Sequence, residues 1–231
     1  MNTGLEKITC KECKHKSKCF KHLLREELEF LDHHKVQLVY SKGEIICKQG
    51  SFASSLIYIL DGLIKLLIEG PGNKNLIIRI IKPSEFVGLS SLFDENIYHY
   101  SAVTLKTSSV CMIEKEIINK LIRENGLLAT EIIKWHCQVQ TQHYKKFEGL
   151  MYKQLPGRLA DTLLYLNRED FGPDNVYPYL TRKDLAELSG MSTESAVRIL
   201  SEFDHEGIIQ TSGRNIKITD TEKLEKISKT G

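Results

Sequence analysis

Residues 181–200 read Thr-Arg-Lys-Asp-Leu-Ala-Glu-Leu-Ser-Gly-Met-Ser-Thr-Glu-Ser-Ala-Val-Arg-Ile-Leu, and this stretch decides the fold of the chain's last third. Thr181-x-x-Asp184 is a capping box of the Ser/Thr-x-x-acid type and predicts a helix start. That helix stops at Gly190, and a second begins near Ser192. Ala186 and Gly190 are small where two helices must meet at a tight angle. Ala196, Ile199, Leu200 and Phe203 recur at i, i+3, i+4 and i+7, which predicts the buried face of the second helix. Glu194, Val197, Arg198 and Ser201 occupy the opposite face. A Glu and an Arg one turn apart on an exposed face can hydrogen-bond cytosine N4 and guanine O6/N7 in a major groove. The same pair can equally form an i, i+4 surface ion pair. The next segment favours DNA. Residues 208–218 form two alternating runs around Gly213-Arg214-Asn215, a hairpin wing able to touch phosphates. Thr181, Arg182, Ser192, Thr193, Glu194, Val197, Arg198 and Arg214 are therefore the candidate DNA-contacting residues.

Working outward, residues 114–149 contain no Pro and one internal Gly, Gly126. Leu128, Ile132, Trp135, Val139 and Gln142 step by four, three, four and three, a heptad-like seam on one long helix. Leu128, Ile132, Trp135 and Val139 are the expected dimer interface. From Val36 to Met112 short runs alternate: Val36, Leu38, Tyr40; Leu56 to Leu60; Ile64, Leu66, Ile68; Leu76, Ile78, Ile80. Gly-rich turns separate them, which argues for a barrel or jelly roll. The expected class is α+β: a Cys-rich segment over 1–22, a β-roll (double-stranded jelly roll) over 23–113, a dimerisation helix over 114–150 and a winged helix-turn-helix over 151–231.

The 231 residues are enough for two modest cores, and 41% hydrophobic with 27% charged residues is an ordinary globular mixture. The net charge is only +2, so the whole-chain balance points to neither nucleic acid nor membrane. Residues 1–22 hold six Lys against two Glu, whereas 151–231 carry eleven basic and thirteen acidic side chains. A winged helix needs only one positive face, so the acidic groups must lie away from the duplex. No apolar run reaches the roughly 18 residues of a membrane span, and MNTGLEKITC has no signal-peptide core. The expected location is cytoplasmic, with no membrane partner. Six Cys in such a chain are then thiols or metal ligands rather than disulfides. No nucleophile–base pair, paired carboxylates or phosphate-cradling glycine loop argues for an enzyme.

Cys10-Lys-Glu-Cys13 followed by Cys19 is a C-x2-C-x5-C cluster. Three close thiolates can wrap one soft metal centre, with Lys11, Lys14, Lys16 and Lys18 lowering thiolate pKa and offsetting cluster charge. Cys47, Cys111 and Cys137 are the candidates for a fourth ligand. A Cys3His zinc site completed by His15 or His22 is an alternative, as are bare redox thiols, or a haem held by one His or Cys. Cysteines outside the site are expected to be small buried hydrophobes, which is how Cys47 and Cys137 are read. His33 and His34 are expected to be solvated.

The order of β-roll, long helix and winged helix-turn-helix resembles the CRP/FNR superfamily of bacterial transcription regulators over nearly the whole chain. Thr181–Leu200 is similar to that family's DNA-reading segment, with Glu194 and Arg198 on its two base-reading positions. The resemblance implies a palindromic TTGA-type site, read with a TGA core by a homodimer on double-stranded DNA, with RNA polymerase as a further partner. Where the cyclic AMP-binding member has Arg before that Glu, this chain has Thr193. Where the FNR branch has Ser before the reading Arg, this chain has Val197. In nucleotide-binding relatives a Gly-Glu turn holds the ribose and an Arg clamps the phosphate. Here Leu89 and Tyr100 stand at those positions, so a bound phosphate would lack its bidentate partner, which argues against a cyclic nucleotide. Ser109-Val-Cys111-Met-Ile resembles the FNR segment that donates its distant cluster ligand, and the interval from Cys19 to Cys111 is similar too. The resemblance thus implies an oxygen-labile [4Fe–4S] cluster on Cys10, Cys13, Cys19 and Cys111, sensing oxygen or redox state.

Overall fold

The computed structural model describes residues 9–13, 19–93, 95–168, 171 and 175–231. Lys14, His15, Lys16 and Lys18 of the basic segment lie outside the described residues, as does Pro173. A short helix α1 (Arg25–His33) precedes eight strands: β1 (Lys35–Tyr40), β2 (Ile45–Cys47), β3 (Ser55–Asp61), β4 (Ile64–Ile68), β5 (Leu76–Ile81), β6 (Phe86–Val87), β7 (Ser101–Thr104) and β8 (Ser108–Glu114). They form two four-stranded sheets, ordered β1-β8-β3-β6 and β2-β7-β4-β5. The alternating runs between Gly-rich turns thus fold as the expected roll.

β1 runs antiparallel to β8 with Gln37 opposite Cys111 and Lys35 opposite Ile113. The alternation of Val36 and Leu38 marks this strand, but these residues are its outer side. Val36 is 58% exposed, whereas the Lys35 side chain is 7% exposed. β1 therefore turns its polar residues inward, because those residues meet sulfur and carboxylate groups rather than a purely apolar core.

The segment 114–150 is not one helix. α2 (Lys115–Glu124) ends at Asn125, and α3 runs over Gly126–Tyr152. Asn125 leaves helical geometry at φ −119° and ψ 98°. Its Oδ1 accepts from the Leu128 amide at 3.0 Å, while its Nδ2 donates to Glu27 Oε2 at 2.8 Å. A side-chain amide that takes over backbone hydrogen bonds ends one helix and starts the next. The core on this side joins Leu31, Leu56, Tyr58, Leu60, Phe86, Cys111, Ile113, Ile118, Leu121, Leu128 and Ile132. The 114–150 segment is not a separate body either. The chain divides into two compact units, one of 1–65 with 81–140, the other of 66–80 with 141–231.

In the second unit α4 (Leu155–Leu166), α5 (Arg182–Ser189), α6 (Thr193–His205), the hairpin β9 (Ile209–Ser212) and β10 (Asn215–Ile218), and α7 (Thr221–Thr230) follow in order. α4 packs on α5, α6 and α7. This is the expected winged helix-turn-helix.

Candidate functional site

The α5–α6 corner is built from short-range contacts. Thr181 caps α5: its Oγ1 accepts from the Asp184 amide at 3.1 Å, and its own amide donates to Asp184 Oδ2 at 2.8 Å. Gly190 ends α5 in the left-handed conformation (φ 63°), where a Cβ would strike the Leu150 side chain. Only glycine meets both demands at low cost. Ser192 caps α6, its Oγ accepting from the Ser195 amide at 3.2 Å. The buried residues of α6 are Ala196, Ile199, Leu200 and Phe203, the four its periodicity named.

On the outer face Glu194, Val197 and Arg198 are exposed, with Thr193 half-buried beside them. Arg198 Nη1 pairs with Glu202 Oε1 at 2.6 Å, so its i, i+4 partner is Glu202 rather than Glu194. Such an exposed pair contributes about 0–1 kcal/mol, less than the roughly 1–3 kcal/mol of a good bidentate base contact, so Arg198 can exchange one for the other. The Glu194 carboxyl lies below the usual range, because its own backbone amide and the Ser192 hydroxyl hydrogen-bond it. It is an acceptor at neutral pH. Arg182 Nη2 donates to Gly213 O at 2.9 Å and ties α5 to the wing turn. Partial burial lowers its pKa from the free value. Asp204 accepts from the Thr211 amide and hydroxyl at 3.2 and 2.8 Å, fixing the wing to the end of α6. Arg214 is exposed at the wing tip. The net acidity of this domain is partly consumed inside it: Asp184 and Asp220 cap helices, Asp204 holds the wing and Asp161 pairs with Lys153 at 2.8 Å.

The cysteines lie in the first unit. Cys10 and Cys13 are half-buried, and Cys19 and Cys111 are buried. All four belong to or pack against the core cluster that includes Phe20, Tyr58 and Phe86. Cys10, Cys13 and Cys111 line one cavity of about 20 Å³ with Lys35, Phe20 and Tyr58, room for roughly one water molecule. Lys35 Nζ donates to Cys10 Sγ at 3.2 Å and pairs with Asp32 Oδ1 at 2.6 Å; the same carboxylate oxygen accepts from the Cys10 amide at 2.6 Å. Burial pushes the Cys10 thiol up to about 12 and the Cys111 thiol to about 11, each against the pull of Lys35. Burial alone would lower the Lys35 ammonium, but Asp32 and the sulfurs of Cys10 and Cys111 outweigh it and raise its pKa.

Cys10, Cys13 and Cys111 are soft donors of the type an iron–sulfur or other thiophilic centre takes, but Cys19 is not among the residues lining their cavity, and the cavity is far smaller than such a centre. Among the described residues, no group of three His, Cys, Asp or Glu side chains could hold a metal ion as placed. His22 is exposed, and Cys47 is a buried thiol pushed up to about 12 by burial. Cys137, expected to be buried, is exposed on α3. Lys35, Asp32 and Gln37 were not singled out by spacing; the one local signal was a Lys-x-Gln pair on the polar side of an alternating strand.

Two members of the expected dimer seam, Leu128 and Ile132, are corrected. Leu128 is 0% and Ile132 6% exposed, both within their own chain's core, and Trp135 packs edge-on to Phe86 at 5.5 Å. Val139 is half-buried on the same run. Heptad spacing identifies a buried face but not what buries it. A second run on α3, Ile133, Cys137, Gln140, Tyr144, Phe147 and Met151, steps by four and three. It leaves Ile133 63%, Tyr144 68%, Phe147 62% and Met151 73% exposed.

In the roll the Gly88 amide donates to Tyr100 Oη at 2.9 Å, and Leu89 is buried. No helix among the described residues is long and apolar enough to cross a membrane.

Comparisons with known proteins agree with this architecture. Residues 37–125 match a cyclic nucleotide-binding domain, and residues 157–227 match a Crp-like helix-turn-helix domain. The chain is 27% identical to the cAMP-activated global transcriptional regulator CRP of Salmonella typhimurium, over 83% of this chain and 93% of that one. It is 24% identical to a CRP-like cAMP-activated global transcriptional regulator of Mycobacterium tuberculosis, over 80% and 84%. Among solved structures, FixK2 from Bradyrhizobium japonicum superposes with a TM-score of 0.74 at 18% identity, covering 84% of this chain and 96% of that one. A CooA mutant from Carboxydothermus hydrogenoformans gives 0.71 at 14% identity, covering 85% and 88%; both are likenesses of fold. With a roll of the nucleotide-binding type joined to a Crp-like helix-turn-helix whose capped reading helix leaves Glu194 and Arg198 exposed, the chain belongs to the CRP/FNR family of DNA-binding transcription regulators.

Proposed function

We propose that this regulator senses oxygen or redox state through a [4Fe–4S] cluster held by Cys10, Cys13, Cys19 and Cys111, and binds a palindromic TTGA-type site as a homodimer when that cluster is intact. The observation that supports this is that Cys10, Cys13 and Cys111 line one small cavity while Cys19 is buried in the same apolar core. A bound cluster would supply an oxygen-labile cross-link between the N-terminal turn and β8. The chain's own residues do the rest. Cys111 fixes the site to β8, whose next residues lead into α2 and α3. The exposed apolar residues of α3 would meet a second copy, and the two α6 helices of such a dimer would read half-sites about one helical turn of DNA apart. Glu194 and Arg198 would read base edges and Arg214 a phosphate, with RNA polymerase as the partner addressed from DNA.

The cAMP activation of the relatives is not carried over. Tyr100 Oη already satisfies the Gly88 amide, and neither Tyr100 nor Leu89 supplies the charged group a cyclic phosphate or ribose needs. Purification without oxygen, followed by a visible spectrum and iron and sulfide analysis, tests the proposal. A brown protein with about four irons per protomer is expected. A colourless protein with stoichiometric zinc, binding DNA equally in air, overturns it.

A further inference from the structure

A cavity of about 640 Å³ lies within the unit of residues 66–80 with 141–231, against the end of α5. That volume is in the range of small-molecule sites, roughly 300–1,000 Å³. Gln142, Lys146, Gly149 and Lys153 line it and step by four, three and four, so one face of α3 forms a wall. α4, the Leu188–Ser189 end of α5 and Ile78–Arg79 of β5 form the others.

Charge sets this cavity apart from its surroundings. Six Lys or Arg side chains line it against three Asp or Glu, although residues 151–231 as a whole are acidic. Lys153 is neutralised by Asp161 at 2.8 Å. Lys146 and Arg158, both half-buried, are held by carbonyl oxygens instead of a carboxylate. Lys146 Nζ donates to Leu188 O at 2.6 Å; Arg158 donates from Nε to Lys153 O at 2.9 Å and from Nη1 to Gly190 O at 3.4 Å. Carbonyls at a helix end carry only partial negative charge, so both cations stay largely uncompensated. Burial accordingly pushes the Lys146 ammonium down to about 8, with Asp161 opposing. A charge taken out of water is costly without a counter-charge, and an anion in the cavity would supply one. The Arg158 fork has five N–H donors and keeps some for a carboxylate or phosphate.

The remaining surface favours an organic body. Ile78, Leu150 and Leu164 are lining residues, and the Tyr165 ring stands with them. Tyr165 Oη accepts from the Ile80 amide at 3.1 Å and donates to the Ile80 carbonyl at 3.3 Å, which fixes the ring against β5.

We propose that this cavity binds a small organic anion, a carboxylate or phosphate monoester with an apolar body, whose head group pairs with Lys146 and Arg158. The same two cations hold Leu188 O and Gly190 O, so the head group sits one side chain away from the turn between α5 and α6. The site shares no residue with the cysteine region, and its test is independent of any cluster.

The test titrates the full chain by calorimetry at constant ionic strength with benzoate, phenyl phosphate and the neutral benzamide. Saturable binding of an anion at one site per protomer, with benzamide much weaker, is expected. Tighter benzoate assigns the site to carboxylates, and tighter phenyl phosphate to phosphate esters. Lys146→Met and Arg158→Gln should each weaken the anions about tenfold or more, the loss of a hydrogen bond between charged groups. Lys42→Gln, which removes an exposed positive charge from the roll, should bind as wild type does. Circular dichroism is the folding control, and if Arg158→Gln does not fold, Lys146→Met decides alone. Wild-type affinity in either folded variant, benzamide binding as tightly as the anions, or a wild-type chain that takes up neither anion overturns the inference.

Discussion

Within the helix-turn-helix, the groups that shape the reading surface are held by partners three or four residues away: Thr181 by Asp184, Ser192 by Ser195, Arg198 by Glu202. The cysteine region reverses this. Cys10 is fixed by Asp32 and Lys35, and Cys111 comes from a strand near the end of the roll, so almost every contact joins distant segments inside the core. The first site is local and exposed; the second is non-local and buried. An exposed local site can lose a side chain without losing its frame. A buried non-local site couples any chemistry it carries to the packing of the fold.

The largest expected effect lies at the buried site. Cys10→Ser, Cys13→Ser, Cys19→Ser and Cys111→Ser should each lose most of their anaerobic iron and, with it, most affinity for a TTGA palindrome, since oxygen replaces a soft donor with a hard one. Cys47→Ser and Cys137→Ser should keep both. Iron analysis beside DNA titration checks this, and an iron-free Cys47→Ser with a loaded Cys111→Ser would move the fourth ligand.

The next effect separates the two faces of α3. Ile132→Ala should cost about 2–5 kcal/mol of stability through loss of a buried side chain, while Phe147→Asp should leave stability nearly unchanged and shift anaerobic protein to monomer. Denaturant melts and sedimentation distinguish them; monomers from Ile132→Ala together with intact Phe147→Asp dimers would restore the inner face as the interface.

At the exposed site the effects are smaller and separable. Arg198→Ala should lose roughly 1–3 kcal/mol of discrimination at the guanine. Arg214→Ala should weaken all sequences alike and reduce the salt slope by about one. An unchanged base preference in Arg198→Ala would remove α6 from the groove.

The smallest effect concerns pH. Burial pushes the Lys146 ammonium down to about 8, with Asp161 opposing the shift, while Nζ donates to Leu188 O at 2.6 Å. An unfolded lysine titrates near 10.4, so between about 8 and 10 the unfolded chain binds more protons and stability rises with pH. Lys146→Met should abolish that rise, and denaturant melts at both ends of the window would reveal it.

Much of the C-terminal unit was legible because its determinants are short-range. The capping box, the Gly190 stop and the 3.6-residue period of Ala196, Ile199, Leu200 and Phe203 each act within a turn or two of helix, where local sterics and hydrogen bonding dominate. The strands of the roll were legible for the same reason. The break at Asn125 was not, because an Asn-Gly pair reads as a tolerated interior until its amide finds Glu27 and the Leu128 amide.

By itself, the sequence determined the order of elements, the reading face of α6 and the close spacing of Cys10, Cys13 and Cys19, since periodicity and spacing express local geometry directly; Cys111 joined them only through the family resemblance. Only the tertiary structure decided which apolar face of α3 is buried and which is left exposed, because both carry the same four-three spacing. Only it placed Lys35 and Asp32 against Cys10, because a side chain's neighbours across a fold depend on register and packing. Spacing along the chain holds no record of those.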